Sequence, residues 1–171
     1  MFAEILKITL PALLVFLATY LTLSTMFQND AKRRKIEFLK NNQKVTLPLR
    51  LQAYERLTLF MERISPDSLI LRTNKPGMTA QNLQASMLGT IRAEWEHNLS
   101  QQLYVSVEAW ELVKNAKGNV IKLINVCSDK VNPNDPSINL SQKILDTMIE
   151  FNSNPINLAI DYMKKEVREL F

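Results

Sequence analysis

Glu94-Trp95-Glu96-His97 is the place in this sequence where residue types and spacing suggest metal chemistry. On a helix, Glu-x-x-His sets a carboxylate and an imidazole on one side, as in di-iron carboxylate bundles, which use two such motifs and two further carboxylates. The chain has one His, so a second motif would have to come from a second copy. The competing reading of Glu94 and His97 is a solvated helix face carrying a salt-bridging Glu and an interfacial His. His97 acting as base for a Ser or Cys nucleophile is a further option. However, Cys127 falls on an apolar stripe and reads as inert core.

Other chemistries are excluded more firmly. Gly77, Gly89 and Gly118 are too far apart for a P-loop or a dinucleotide fingerprint, and no G-x-S-x-G elbow occurs. One Cys cannot form a disulfide within the chain, and one Cys with one His cannot build a Cys/His zinc site. The expectation is therefore no enzyme, no catalytic residue, no cofactor and no metal, with Glu94 and His97 the only metal candidates.

The elements that must hold these residues come from 171 residues, 46% hydrophobic and 22% charged, with a mean hydropathy of -0.10. That fits one compact unit, or one domain with an anchor. Ile8 to Phe27 contains no charged side chain, and most of its residues are apolar. Twenty helical residues reach about 30 Å, the thickness of a bilayer's hydrocarbon core, so the expectation is a transmembrane helix. It is read as retained, because no basic n-region or A-x-A-like site marks a signal peptide. Lys32, Arg33, Arg34 and Lys35 follow it. The positive-inside rule then places the N-terminus outside and the C-terminal domain in the cytoplasm, where an unpaired Cys127 is at home.

Charge is unevenly divided: -1 over residues 1–31, +8 over 32–92 and -3 over 93–171. A basic block beside a membrane helix suits anionic headgroups, so Lys32, Arg33, Arg34 and Lys35 are expected to contact anionic lipid. Binding of nucleic acid or another anionic ligand is a weaker alternative, using Arg50, Arg56, Arg63, Arg72, Lys75 and Arg92.

The rest of the chain reads as helices. The anchor helix is expected to run on to Lys40 and to end at Asn41-Asn42-Gln43, and Pro48 to open a second helix with a stripe of Leu49, Ala53, Leu57, Phe60 and Ile64. Residues 67–78 read as irregular, with a turn at Lys75-Pro76-Gly77. Thr79 caps a helix with the stripe Leu83, Met87, Ile91, Trp95 and Leu99. Ser106 caps the next, Ile138 or Leu140 to Phe151 forms another, and Asn154-Pro155 opens the last. The expected class is all-α: a transmembrane helix and a soluble bundle of about five helices. Its divisions are 1–30 (tail and membrane helix), 31–47 (basic juxtamembrane helix or linker) and 48–171 (cytoplasmic helical domain). Trp95, Tyr104 and Trp110 read mainly as core, with a partner surface as the alternative.

Pro48-Leu49-Arg50-Leu51-Gln52-Ala53-Tyr54-Glu55-Arg56-Leu57, Lys75-Pro76-Gly77-Met78 and Arg92 through Ser106 carry a resemblance. Over nearly its whole length the chain resembles an uncharacterised, domain-of-unknown-function family of short bacterial single-pass membrane proteins. The resemblance implies a bacterial inner-membrane setting and carries over no activity and no functional residue. The resulting expectation is a non-catalytic scaffold or accessory subunit of a membrane complex, with a protein partner or self-association. A membrane-tethered metal protein or enzyme centred on Glu94 and His97 is the alternative.

Overall fold

The computed structural model describes the backbone of residues 2–150 and 154–170, with side chains described from Phe16 onward except at 18, 28–29, 31–32, 35–36, 39, 41–43 and 150. The described chain is all-helical. Its elements are α1 (Phe2–Ile64), α2 (Pro66–Thr73), α3 (Ala80–Asn98), a 3-10 segment (Leu99–Leu103), α4 (Val107–Ser128), α5 (Ser137–Glu150) and α6 (Pro155–Glu169). It divides into two units, Met1–Thr46 and Leu47–Phe171.

The first unit corrects the expected anchor. Among the described residues no helix is long and apolar enough to cross a membrane, so a transmembrane helix over Ile8 to Phe27 is not supported. The side chains of 8–15 and 18 lie outside the described residues. From Phe16 onward, Thr19, Thr22, Ser24 and Thr25 interleave with the apolar residues, and Gln28-Asn29-Asp30 follows Phe27. That leaves the described apolar stretch short of the ~20 residues a span needs. The orientation and headgroup contact expected above depended on that span. Arg33 and Arg34 are exposed, while the side chains of Lys32 and Lys35 are outside the described set.

The backbone of α1 also runs through the expected break. Asn and Gln oppose a helix by less than about 1 kcal/mol each. Pro48 removes one i to i-4 hydrogen bond, and the helix continues beyond it.

The second unit is a packed helical domain. The end of α1 buries Ala53, Tyr54, Leu57, Phe60, Met61 and Ile64 at the 3.6-residue period, while Leu49 is exposed. α3 packs on α2, α4 and α5, and α4 on α5 and α6. The α4 stripe of Ala109, Val113, Ala116, Val120, Ile124 and Cys127 is buried throughout. The segment expected to be irregular contains α2, which starts at Pro66 and buries Leu69 and Ile70. Three expected caps are made: Thr79 accepts from the Asn82 amide, Ser106 from the Ala109 amide and Asn154 from the Ile156 amide.

The α2–α3 and α4–α5 loops are joined. Thr79 bridges Pro136, Ala80 N donates to Asp135 O at 2.8 Å, and Ser137 N donates to Met78 O at 2.9 Å. Gly77 makes the turn that allows this, at a φ of 79° that other residues rarely adopt.

Gly89 and Gly118 lie inside helices, and an added Cβ at either meets nothing within 4 Å. Gly89→Ala and Gly118→Ala should each stabilise the fold by about 0.5–1 kcal/mol through reduced freedom of the unfolded chain. Thermal unfolding by circular dichroism checks this, with a rise in Tm expected for each and additivity in the pair.

Candidate functional site

Glu94 and His97 sit on the last turns of α3, and the structure gives each a partner. Glu94 Oε1 accepts from Arg63 Nη1 of α1 at 3.0 Å and from Arg72 Nη2 of α2 at 3.2 Å. Arg72 Nη1 also donates to Arg63 O at 3.3 Å. One carboxylate therefore ties three helices together at a partly exposed point, where each pair is worth little more than about 1 kcal/mol. His97 is exposed, and its Nδ1 lies 2.7 Å from Ala93 O in its own helix. Among the described residues no group of three His, Cys, Asp or Glu side chains is placed to hold a metal.

Trp95 and Trp110 are stacked with centroids 4.8 Å apart, and Phe60 meets Trp95 at 5.7 Å. Lys117 Nζ lies 3.7 Å over the Trp95 ring, a cation–π contact. Burial, then the neighbouring Lys114 charge, holds the Lys117 ammonium below the usual lysine range. Both indoles are half-buried against the core. Tyr104 stands apart from them at the surface.

Of the six basic residues, Arg63 and Arg72 are engaged by Glu94, and Arg50 Nε donates to Tyr104 O at 3.3 Å. Arg56, Lys75 and Arg92 are exposed on α1, on the α2–α3 turn and on α3 respectively. Cys127 is buried, with Sγ 3.7 Å from Lys143 O and 3.5 Å from Thr147 Oγ1.

A pair the sequence did not suggest is Tyr54 and Glu166. Tyr54 Oη donates to Glu166 Oε2 at 2.7 Å, joining α1 to α6. Burial, then the hydrogen bond to Glu166, raises the Tyr54 phenol above its ordinary 10.0. A raised folded-state value means that the unfolded chain gives up the proton first. Stability from this group is therefore complete below about pH 10 and falls as pH rises further. Lys117 acts with the opposite sign, adding stability as pH rises toward 10.5. Tyr162 is also raised, by burial and then by nearby Glu166, so it adds to the Tyr54 slope. Urea unfolding between pH 8.5 and 11 should show a decline above pH 10 that is shallower in Tyr54→Phe. An identical slope in the variant would rule the assignment out.

Two clefts accompany these residues. One of about 580 Å³ is lined by Val120, Leu123 and Val126 of α4 and by Met148 and Ile156. The other, about 530 Å³, lies at the joined loops beside Asn74, Lys75 and Asn134. The amides at the start of α3 already donate to Asp135 O, Pro133 O and Thr79 Oγ1, so they are not open to an anion.

Tyr104 is one of three candidates for a partner surface; what sequence reasoning missed is the exposed apolar pair beside it. Leu103 and Val107 are 77% and 74% exposed, and Leu99 is exposed beside them in sequence. The available signal was the weakening of the α3 stripe after Leu99, where the 3-10 segment begins.

Comparison with known families bears on the whole chain at once. Residues 1–170 match the family described as Family of unknown function (DUF7935). The chain belongs to that family. Its match takes in both units and all six α-helices, so the Glu94 cluster and the Tyr104 surface both lie within it. No curated protein matches the chain, and no solved structure does.

Proposed function

We propose that the helical domain over 47–171 is a non-catalytic protein-binding module, acting as a scaffold or accessory subunit. The observation that carries this reading is the exposed apolar surface around Tyr104. Single exposed leucines are ordinary, but here Leu103, Tyr104 and Val107 are exposed within five residues on a well-braced backbone. Arg50 holds the Tyr104 carbonyl, Tyr104 N donates to Gln101 O, and Ser106 caps α4. A rigid apolar projection loses little entropy on docking, which suits a partner offering an apolar surface.

The chemistry-bearing residues support the same reading from the other side. Glu94 is paired with two arginines, and the indoles are packed on each other.

Affinity capture with the intact protein tests it. A partner recovered by the wild type should be lost with Leu103→Asp/Val107→Asp, whose circular dichroism and Tm stay near wild type because both side chains are exposed. Recovery of the free protein alone, or equal capture by the double variant, overturns the proposal.

A further inference from the structure

The first unit carries a second pattern, independent of the Tyr104 surface. Phe16, Phe27 and Phe38 are spaced by eleven residues, and Leu23 and Val45 by twice that. Eleven residues make just over three whole turns of an α-helix, so side chains at that interval stay on one face. Tyr20 falls on the same face, four residues after Phe16 and three before Leu23. These six are between 47% and 71% exposed. Thr19, Thr22 and Thr25 lie round the helix from the stripe; the Thr22 and Thr25 hydroxyls donate to the carbonyls of Thr19 and Thr22 at 2.9 and 2.8 Å. Leu17, Leu21 and Met26 are exposed on other sides; the stripe is the face on which aromatic residues recur, it is uncovered among the described residues of the first unit, and exposure on that scale marks an interaction surface.

We infer that this face of α1 is covered by α1 of a second copy, packed antiparallel about Phe27. The three phenylalanines of the stripe are symmetric about that residue. Phe27 faces the partner's Phe27, Tyr20 faces the partner's Arg34, and Phe16 faces the partner's Phe38. The arrangement is isologous and closes as a two-fold dimer.

Charge selects this direction. A parallel pair in register sets Arg34 on Arg34 and the whole Lys32–Lys35 block against its copy. The antiparallel pair separates those blocks by about 20 Å along the axis, beyond the ~8 Å screening length at physiological salt. It also lays each Arg34 guanidinium, exposed in the single chain, against a Tyr20 ring, a favourable cation–π pairing. Phe16, Tyr20, Phe27 and Phe38 from two chains supply eight rings. At about 150–250 Å² each, their full burial reaches the ~1,200–2,000 Å² of a specific interface.

Analytical ultracentrifugation of the full chain, with disulfide trapping, tests the inference. The native Cys127 is buried, so introduced thiols report on α1. The wild type should sediment as a dimer, and Phe27→Glu should weaken association at least 100-fold with helicity retained. Phe27→Cys should oxidise to a covalent dimer. Phe16→Cys mixed with Phe38→Cys should give the cross-linked heterodimer, while Phe16→Cys alone should give none. A monomer at 100 µM, a heterogeneous aggregate, ready cross-linking of Phe16→Cys to itself, or a monomer that co-sediments with phosphatidylglycerol vesicles would each overturn it. None of these outcomes bears on Leu103 or Val107, so the partner reading stands or falls separately.

Discussion

Phe60→Ala is expected to lower the unfolding free energy of the helical domain by about 3–5 kcal/mol. Phe60 is 1% exposed and lies in the buried stripe that α1 presents to the core. Its ring meets Trp95 at 5.7 Å with a 44° tilt, so truncation removes both apolar burial and an aromatic pair worth about 0.5–1.5 kcal/mol. Trp95 in turn stacks on Trp110 and carries Lys117 on its face. The void therefore opens at the root of a three-ring stack joining α1, α3 and α4, where relaxation is limited by the rings behind it. Whole-domain stabilities are commonly 5–15 kcal/mol, so this one side chain commands a large share. Urea unfolding followed by tryptophan emission and circular dichroism measures it, and the emission of the folded variant should shift as Trp95 loses its neighbour. Phe60→Leu, which refills most of the space, should cost less than half as much. A loss below about 1.5 kcal/mol for Phe60→Ala would show that the stack is braced elsewhere.

The residues in that stack were legible as core because helical periodicity is a local property. Leu57, Phe60 and Ile64, or Val113, Ala116 and Val120, recur at the spacing of one face, and all are buried. Caps were legible for the same reason: the Thr79, Ser106 and Asn154 side chains act on amides two or three residues onward. Two expectations about α1 failed because local signals compete with continuity. A hydropathy run from Ile8 to Phe27 reads as a span if its hydroxyl residues are forgiven, whereas the described part alone is too short and too interleaved. The Asn41 to Gln43 and Pro48 breakers are each weaker than a helix already under way.

The site was legible in its residue types but not in its connections. Glu94 was recognised as a candidate ligand or salt-bridge partner, yet Arg63 and Arg72 lie 31 and 22 residues away in sequence. Only the packing of α1 and α2 on α3 brings both guanidinium groups to one oxygen. Tyr54 and Glu166 are 112 residues apart, and nothing in either neighbourhood announces the other. Leu103 and Val107 fall outside the stripes that the periodicity assigns, so nothing local marks them as an exposed pair. Leu103 ends the 3-10 segment, where the α3 stripe no longer sets the phase, and Val107 opens α4 two residues before Ala109, on the side away from that helix's buried face.

Leu69→Ala is expected to cost about 2–5 kcal/mol, with its first effect on α2. This helix has eight residues, too few to be stable alone, so its order depends on docking. Pro66, Leu69, Ile70 and Thr73 form its buried face at the i, i+3, i+4 and i+7 spacing of one side. Leu69 is 0% exposed and lies at the centre of that face. The Thr73 hydroxyl donates to the Leu69 carbonyl at 2.7 Å, so the last turn is fastened to the backbone of the residue being truncated. α2 packs on α3 and α5 and presents Arg72 to Glu94, which means that loosening it also loosens one arm of the Glu94 cluster. Leu71 is the internal control. It occupies the same helix but is 84% exposed, so Leu71→Ala should change stability by less than about 0.5 kcal/mol. Hydrogen exchange should show faster exchange of the α2 amides in Leu69→Ala, before any change in α4, and wild-type rates in Leu71→Ala. Equal effects from the two substitutions would mean that α2 is held by its ends, through Pro66 and the Asn74 amide bonded to Ile70 O, and not by its buried face.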